Sequence, residues 1–126
     1  MTERALDTSK KRILVVDDNQ DVTDMLSRML RLMGGEVETA GSGAEALEKC
    51  RTMGPDVVLL DIGLPWANGF EVAKWLRDED CGKDAVLVAL TGWSGEEERR
   101  LAAEAGFNHY LVKPVPMAEL EKIVFG

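Results

Sequence analysis

Short, continuously apolar segments alternate with segments of helical periodicity along the chain. Residues 12–16 (R-I-L-V-V) read as a β-branched strand. It ends at Asp17-Asp18-Asn19, where Asp18 or Asn19 can cap the next helix. Val22, Met25, Leu26, Met29, Leu30 and Met33 recur at helical spacing and predict a helix over 22–32, stopped by Gly34-Gly35. A short strand over 36–40 follows. Ser42 with Glu45 has the form of a capping box and opens a helix running to about residue 52. After the Gly54-Pro55 break, 56–61 (D-V-V-L-L-D) is the clearest buried strand: four apolar residues closed by an acid. Gly63, Pro65 and Gly69 mark a loop. A helix is predicted over 70–77, with Val72, Ala73 and Leu76 inward. A continuous apolar strand follows over 85–90, then a helix over 96–105 stopped by Gly106. The last strand falls at 107–112 and the last helix at 117–124.

Strands that are apolar throughout, rather than at alternate positions, need cover on both faces, and that is the mark of a parallel sheet. With right-handed crossovers the expected fold is α/β, a doubly wound five-stranded parallel sheet in a three-layer sandwich. The polar residues 1–10 are expected to be a flexible tail, and 11–126 one domain.

Composition narrows the function classes. The 126 residues suit a single domain with its own core, and 45 % hydrophobic with 30 % charged residues suits a globular chain. The net charge of −8 predicts no direct binding to nucleic acid and none to anionic membranes. No apolar run approaches the roughly 18 residues of a membrane span. Cys50 and Cys81, the two cysteines, sit in no metal or redox spacing and read as free thiols of a reducing cytoplasm.

Candidate chemistry collects where such a sheet binds ligands, beyond the carboxyl ends of its strands. Asp17 and Asp18 follow the first strand, Asp61 ends the third, Thr91 follows the fourth and Lys113 the fifth. Singly, each has a plain reading; Asp18, for example, can be a helix cap. Together they make chemical sense. Converging carboxylates repel one another, and a hard cation such as Mg²⁺ relieves the repulsion. Lys113 supplies a compact positive charge and Thr91 a hydroxyl donor. These are the parts of a phosphoryl-transfer site, which works by positioning and charge stabilisation.

The motifs I-L-V-V-D-D-N at 13–19, V-V-L-L-D-I-G-L-P at 57–65, N-G-F-E-V-A at 68–73, A-L-T-G at 89–92 and Y-L-V-K-P-V at 110–115 follow one another in order. In this the chain resembles the response-regulator receiver domain of two-component phosphorelays, over nearly its whole length. The texture is most similar to receivers joined to hybrid sensor histidine kinases or standing alone. The resemblance implies a flavodoxin-like (βα)5 fold. It implies that Asp61 accepts a phosphoryl group from a histidine kinase or phosphotransfer protein. Asp17, Asp18, Asp61 and the backbone carbonyl of Gly63 would hold Mg²⁺. Thr91 and Tyr110 would act as a coupled switch, Lys113 would bind the phosphoryl group, and the Lys113–Pro114 bond would be cis. A downstream protein would read the face built from 96–124. The expected activity is that of a phosphoacceptor, not a turnover enzyme.

Several residues keep two readings. Trp66 and Trp93 flank the expected site: Trp66 shields it, contacts a partner or packs on the nearest apolar surface, and Trp93 is expected to set the phosphoryl lifetime by its steric control of water. Tyr110 is a switch by resemblance and an ordinary half-buried strand aromatic by spacing alone. His109 reads as structural, Trp75 as core or groove packing, and Glu96-Glu97-Glu98 as an acidic first helical turn. Three rival functions make different demands. A phosphohydrolase would want a second acid where Gly63 stands. A phosphate-independent docking module would not need all five polar residues. A flavodoxin-like cofactor binder would be ill served by Asp17-Asp18, which repel phosphate.

Overall fold

The computed structural model describes residues 10–62, 69–92 and 95–126. Residues 1–9 of the expected tail over 1–10, the loop residues Gly63 and Trp66, and Trp93 lie outside the described residues. In chain order the elements are β1 (Arg12–Val16), α1 (Gln20–Leu32), β2 (Glu36–Ala40), α2 (Gly43–Met53) and β3 (Val57–Asp61). They continue with α3 (Gly69–Asp78), β4 (Val86–Thr91), α4 (Glu96–Ala105), β5 (His109–Val112) and α5 (Met117–Phe125). All strand pairs are parallel, in the order β2-β1-β3-β4-β5. The predicted doubly wound sheet is therefore present, and the strand order reverses at β1.

The apolar strands explain the layers. Alternate residues of one strand point to opposite faces, so each strand feeds two cores. Leu14, Val16, Val58, Leu60, Leu87 and Ala89 face α2, α3 and α4 through Ala46, Cys50, Val72, Ala73, Leu76, Ala102 and Ala105. Ile13, Val15, Val57, Leu59, Val88 and Leu90 face α1 and α5 through Leu26, Leu30, Leu120 and Val124.

Helix starts follow the sequence closely. Asn19 caps α1, its side chain accepting from the N–H groups of Asp21 and Val22. Ser42 caps α2 by accepting from Glu45 N–H at 3.1 Å, while the Glu45 carboxylate accepts from Gly41 N–H at 2.8 Å. The reciprocal bond thus falls one residue before the cap.

Two expectations fail in this architecture. The methionines of the 22–33 repeat read as core or groove packing, yet Met25 is 49 % exposed. The buried stripe is Thr23, Leu26, Ser27 and Leu30. The two hydroxyls can be buried because each donates to a carbonyl three residues back, Gln20 and Asp24. Cys50 and Cys81, expected as free thiols, are joined in a disulfide with their Cα atoms 5.8 Å apart. The last turn of α2 lies against the turn after α3, and that distance is within bridging reach. The free-thiol argument for a reducing compartment therefore falls. Among the described residues no helix is long and apolar enough to cross a membrane.

Candidate functional site

Adjacent parallel strands bring four carboxyl ends together at one sheet edge. Asp17 follows β1, Asp61 ends β3, and Thr91 ends β4. Backbone hydrogen bonds extend the register past the strands. Ile62 N–H donates to Leu90 O at 3.1 Å, and Lys113 N–H donates to Thr91 O at 2.6 Å. The start of α3 closes one side. A Cβ on Gly69 would fall on the Ile62 backbone and lie 3.0 Å from Asp61 O, so glycine lets this helix sit directly on the end of β3.

The side chains converge as the sequence suggested. Carboxylate oxygens of Asp17, Asp18 and Asp61 all lie within 4.8 Å of one another. Asp17 and Asp61 are buried, and Asp18 is exposed. Lys113 Nζ lies 3.0 Å from Asp17 Oδ2 and 3.5 Å from Asp61 Oδ2. Lys113, a charge able to pair with Asp61, thus makes its shorter contact to Asp17. The reason is local: Asn19 N–H donates to Asp17 Oδ1 at 3.0 Å, which leaves Oδ2 for the ammonium. Partial burial pulls the Lys113 pKa down, but the hydrogen bond to Asp17 and the charges of Asp61 and Asp17 outweigh it. The net shift is upward, so Lys113 stays charged. The buried Thr91 stands at the end of the neighbouring strand.

This donor set suits a hard cation. Three carboxylates from two strand ends offer oxygen ligands only, the preference of Mg²⁺, and an excess negative charge that one ammonium does not cancel. The Lys113–Pro114 bond is cis, as the resemblance implied.

Other candidates are placed as follows. Tyr110 is half-buried on β5, and the Arg99 guanidinium carbon lies 4.6 Å from its ring centroid. His109 is exposed on β5, away from the acidic cluster's strand ends. Trp75 is 42 % exposed and lines a groove between α2 and α3 with Leu47 and Glu79. Glu96, Glu97 and Glu98 form the first turn of α4. Sequence reasoning missed Arg77. Its guanidinium donates to the carbonyls of Ala85 at 2.7 Å and Gly106 at 2.6 Å and to Asn108 Oδ1 at 2.8 Å, joining the loops before β4 and β5. An arginine in the last turn of a helix gives no hint of such distant partners.

Clustered acids, a lysine and a threonine thus stand at the carboxyl edge of a doubly wound (βα)5 sheet, the edge where sheets of this class bind their ligands. The response regulator receiver domain model matches residues 13–125, and the chain belongs to that family. The transcriptional regulatory protein PrrA of Mycobacterium leprae is 45 % identical over 112 residues, 89 % of this chain and 47 % of PrrA. The chain thus spans about half the length of that relative. The chemotaxis protein CheY4 of Vibrio cholerae superposes with a TM-score of 0.86 at 33 % identity, covering 90 % of this chain and 95 % of that one. The receiver domain of sensor histidine kinase PA1611 from Pseudomonas aeruginosa has a TM-score of 0.81 at 31 % identity, covering 90 % and 93 % of the two chains. That structure carries a magnesium ion coordinated in its active-site cleft. A transcriptional regulator, a chemotaxis protein and a kinase-borne receiver are thus all similar to this chain.

Proposed function

We propose that the chain is a reversible phosphoryl store. Asp61 takes a phosphoryl group from the phosphohistidine of a sensor histidine kinase or phosphotransfer protein. A carboxylate oxygen of Asp61 forms the new P–O bond as the P–N bond to the donor imidazole breaks, and the electron pair stays with the imidazole. Asp17, Asp18 and Asp61 would hold Mg²⁺, whose part is to neutralise charge on the cluster and the incoming group. Lys113 pairs with the phosphoryl oxygens and Thr91 donates its hydroxyl to them.

The observation that carries this reading is the meeting of three carboxylates within 4.8 Å, with Lys113 bridging Asp17 and Asp61. The magnesium in the PA1611 receiver supports the same metal here. The chain then acts as a phosphoacceptor rather than a turnover enzyme, in the cytoplasm where a phosphohistidine donor is made. Movement of Thr91 and Tyr110 passes the change to α4, β5 and α5, a face read by another protein and not directly by nucleic acid. The test is exposure of wild type and Asp61→Asn to a small phosphodonor with Mg²⁺, read by intact mass. One phosphoryl group on wild type alone is expected; equal labelling of both overturns the reading.

A further inference from the structure

The Cys50–Cys81 bridge lies at the opposite edge of the sheet from Asp61. Cys50 is in the last turn of α2, and Cys81 is in the turn between α3 and β4. Both segments stand at the amino ends of the strands. We propose that this pair is a reversible redox site: a dithiol that a low-molecular-weight disulfide oxidises to the bridged form, and that small thiols return.

Two features beyond the bond itself support reversibility in the folded chain. The first is that the sulfurs are held together independently of it. Arg51 on α2 forks onto Glu79, Nε to Oε1 and Nη2 to Oε2, both at 2.9 Å. Glu79 O in turn accepts from Gly82 N–H at 3.1 Å and Lys83 N–H at 3.0 Å, which closes the turn around Cys81. Arg77 Nη1 fixes the same turn from within, donating to Gly82 O at 3.0 Å and Lys83 O at 3.1 Å. None of these contacts needs the sulfur–sulfur bond, so the reduced fold keeps the two thiols opposed.

The second feature is an asymmetry in access. Cys50 is fully buried against the core, whereas Cys81 is half-buried at the surface. Exchange therefore runs through Cys81. Its thiolate attacks the external disulfide, RSSR, expelling one RS⁻ and leaving a mixed disulfide on Cys81. The Cys50 thiolate then attacks the Cys81 sulfur and expels the second RS⁻. The two thiol protons end on the two released thiols, and the two electrons of the cysteine pair reduce RSSR to 2 RSH. Reduction retraces these steps from an external thiolate attacking Cys81.

Bridging closes a loop with a sequence separation of 31, which carries β3 and α3. It also joins the segments that flank the groove lined by Leu47, Trp75 and Glu79. The acidic cluster is at the other edge, so redox state sets the rigidity of this end and leaves phosphoryl acceptance unchanged.

The experiment equilibrates the folded chain in buffers of varied reduced to oxidised glutathione ratio, quenches with acid, alkylates and reads intact mass. Wild type is expected to pass between a doubly alkylated dithiol and a monomeric, alkylation-resistant bridged form, in both directions without denaturant. Cys50→Ala is expected to trap glutathione on Cys81, and Cys81→Ala to stay unmodified at the buried Cys50. The bridged form should melt higher than the reduced form by on the order of 10 °C. Two alkylated thiols at every ratio overturn the proposal, as does a bridge that is reduced only after unfolding or two forms that melt together. Wild type alone decides the matter if either variant fails to fold. Unequal phosphodonor labelling of the bridged and reduced forms overturns the claimed independence of the two edges.

Discussion

Asp61→Asn removes one negative charge from a cluster whose carboxylate oxygens lie within 4.8 Å of one another. In metal-free buffer two repulsions disappear, with Asp17 and with Asp18. At an effective dielectric near 20, each is worth about 3.5 kcal/mol at that separation. The same change loses the attraction to Lys113 at 3.5 Å, worth about 5 kcal/mol on the same scale. The balance favours the variant by about 2 kcal/mol, which screening at the exposed Asp18 reduces to about 1 kcal/mol. For a chain of this length that raises the melting temperature by about 4 °C. Mg²⁺ acts the other way. At ten times its dissociation constant it stabilises wild type by about 1.4 kcal/mol and the weakened site of the variant by little. Thermal melts followed by circular dichroism, in EDTA and in saturating Mg²⁺, should therefore show Asp61→Asn above wild type without metal and the gap closed or reversed with it. Wild type melting above the variant in EDTA, or an equal Mg²⁺ shift in both, would refute the electrostatic account of the cluster.

Three further substitutions probe the scaffold by urea unfolding. Gly69→Ala pushes a methyl into the Ile62 backbone beside Asp61 O, and should cost about 2 kcal/mol and reduce phosphodonor labelling; an unperturbed variant would mean that α3 need not sit so close. Arg77→Ala removes the short bonds to Ala85 O, Gly106 O and Asn108 Oδ1, and should cost about 3 kcal/mol at roughly 1 kcal/mol each. Arg77→Lys should recover less than half of this, because an ammonium cannot fork. Ser42→Ala loses the cap on Glu45 N–H and should cost about 1 kcal/mol; no change would show that water replaces the hydroxyl.

The sequence was most legible where local chemistry and tertiary structure agree. Strands such as 57–60 are apolar at every position because both cores claim them, and that continuity announced the parallel sheet. The site was legible because a parallel sheet delivers consecutive strand ends to one edge, so Asp17, Asp61, Thr91 and Lys113 could be grouped without coordinates. What failed depends on distances that no local pattern encodes. Cys50 and Cys81 are separated by 31 positions and meet only because α2 and the turn after α3 pack side by side. The partners of Arg77 lie up to 31 positions away. Met25 falls outside the buried face because a helical period fixes a stripe only to within a residue, and an apolar pattern does not mark the buried hydroxyls of Thr23 and Ser27. The preference of Lys113 for Asp17 turns on one backbone N–H, that of Asn19.

The two edges of the sheet carry opposite loads. The carboxyl edge packs like charges, and by the estimate above they weaken the metal-free chain. The amino edge is cross-linked. Besides Arg77, the Arg51–Glu79 fork and the cysteine bridge, Arg12 donates its backbone N–H to the Asp56 carboxylate at 2.9 Å and its guanidinium to Met53 O at 3.1 Å. Strands anchored at one end can tolerate a change of charge at the other without losing their register. If the edges are independent in this way, Arg77→Ala should lower the melting temperature equally with and without Mg²⁺, because distant sites that share no partners add. The Mg²⁺-induced shift would then be the same in Arg77→Ala as in wild type. A shift that shrinks in the variant would mean that the amino-edge anchors also set the geometry of the acidic cluster, and that the charge at Asp61 is read through the whole sheet.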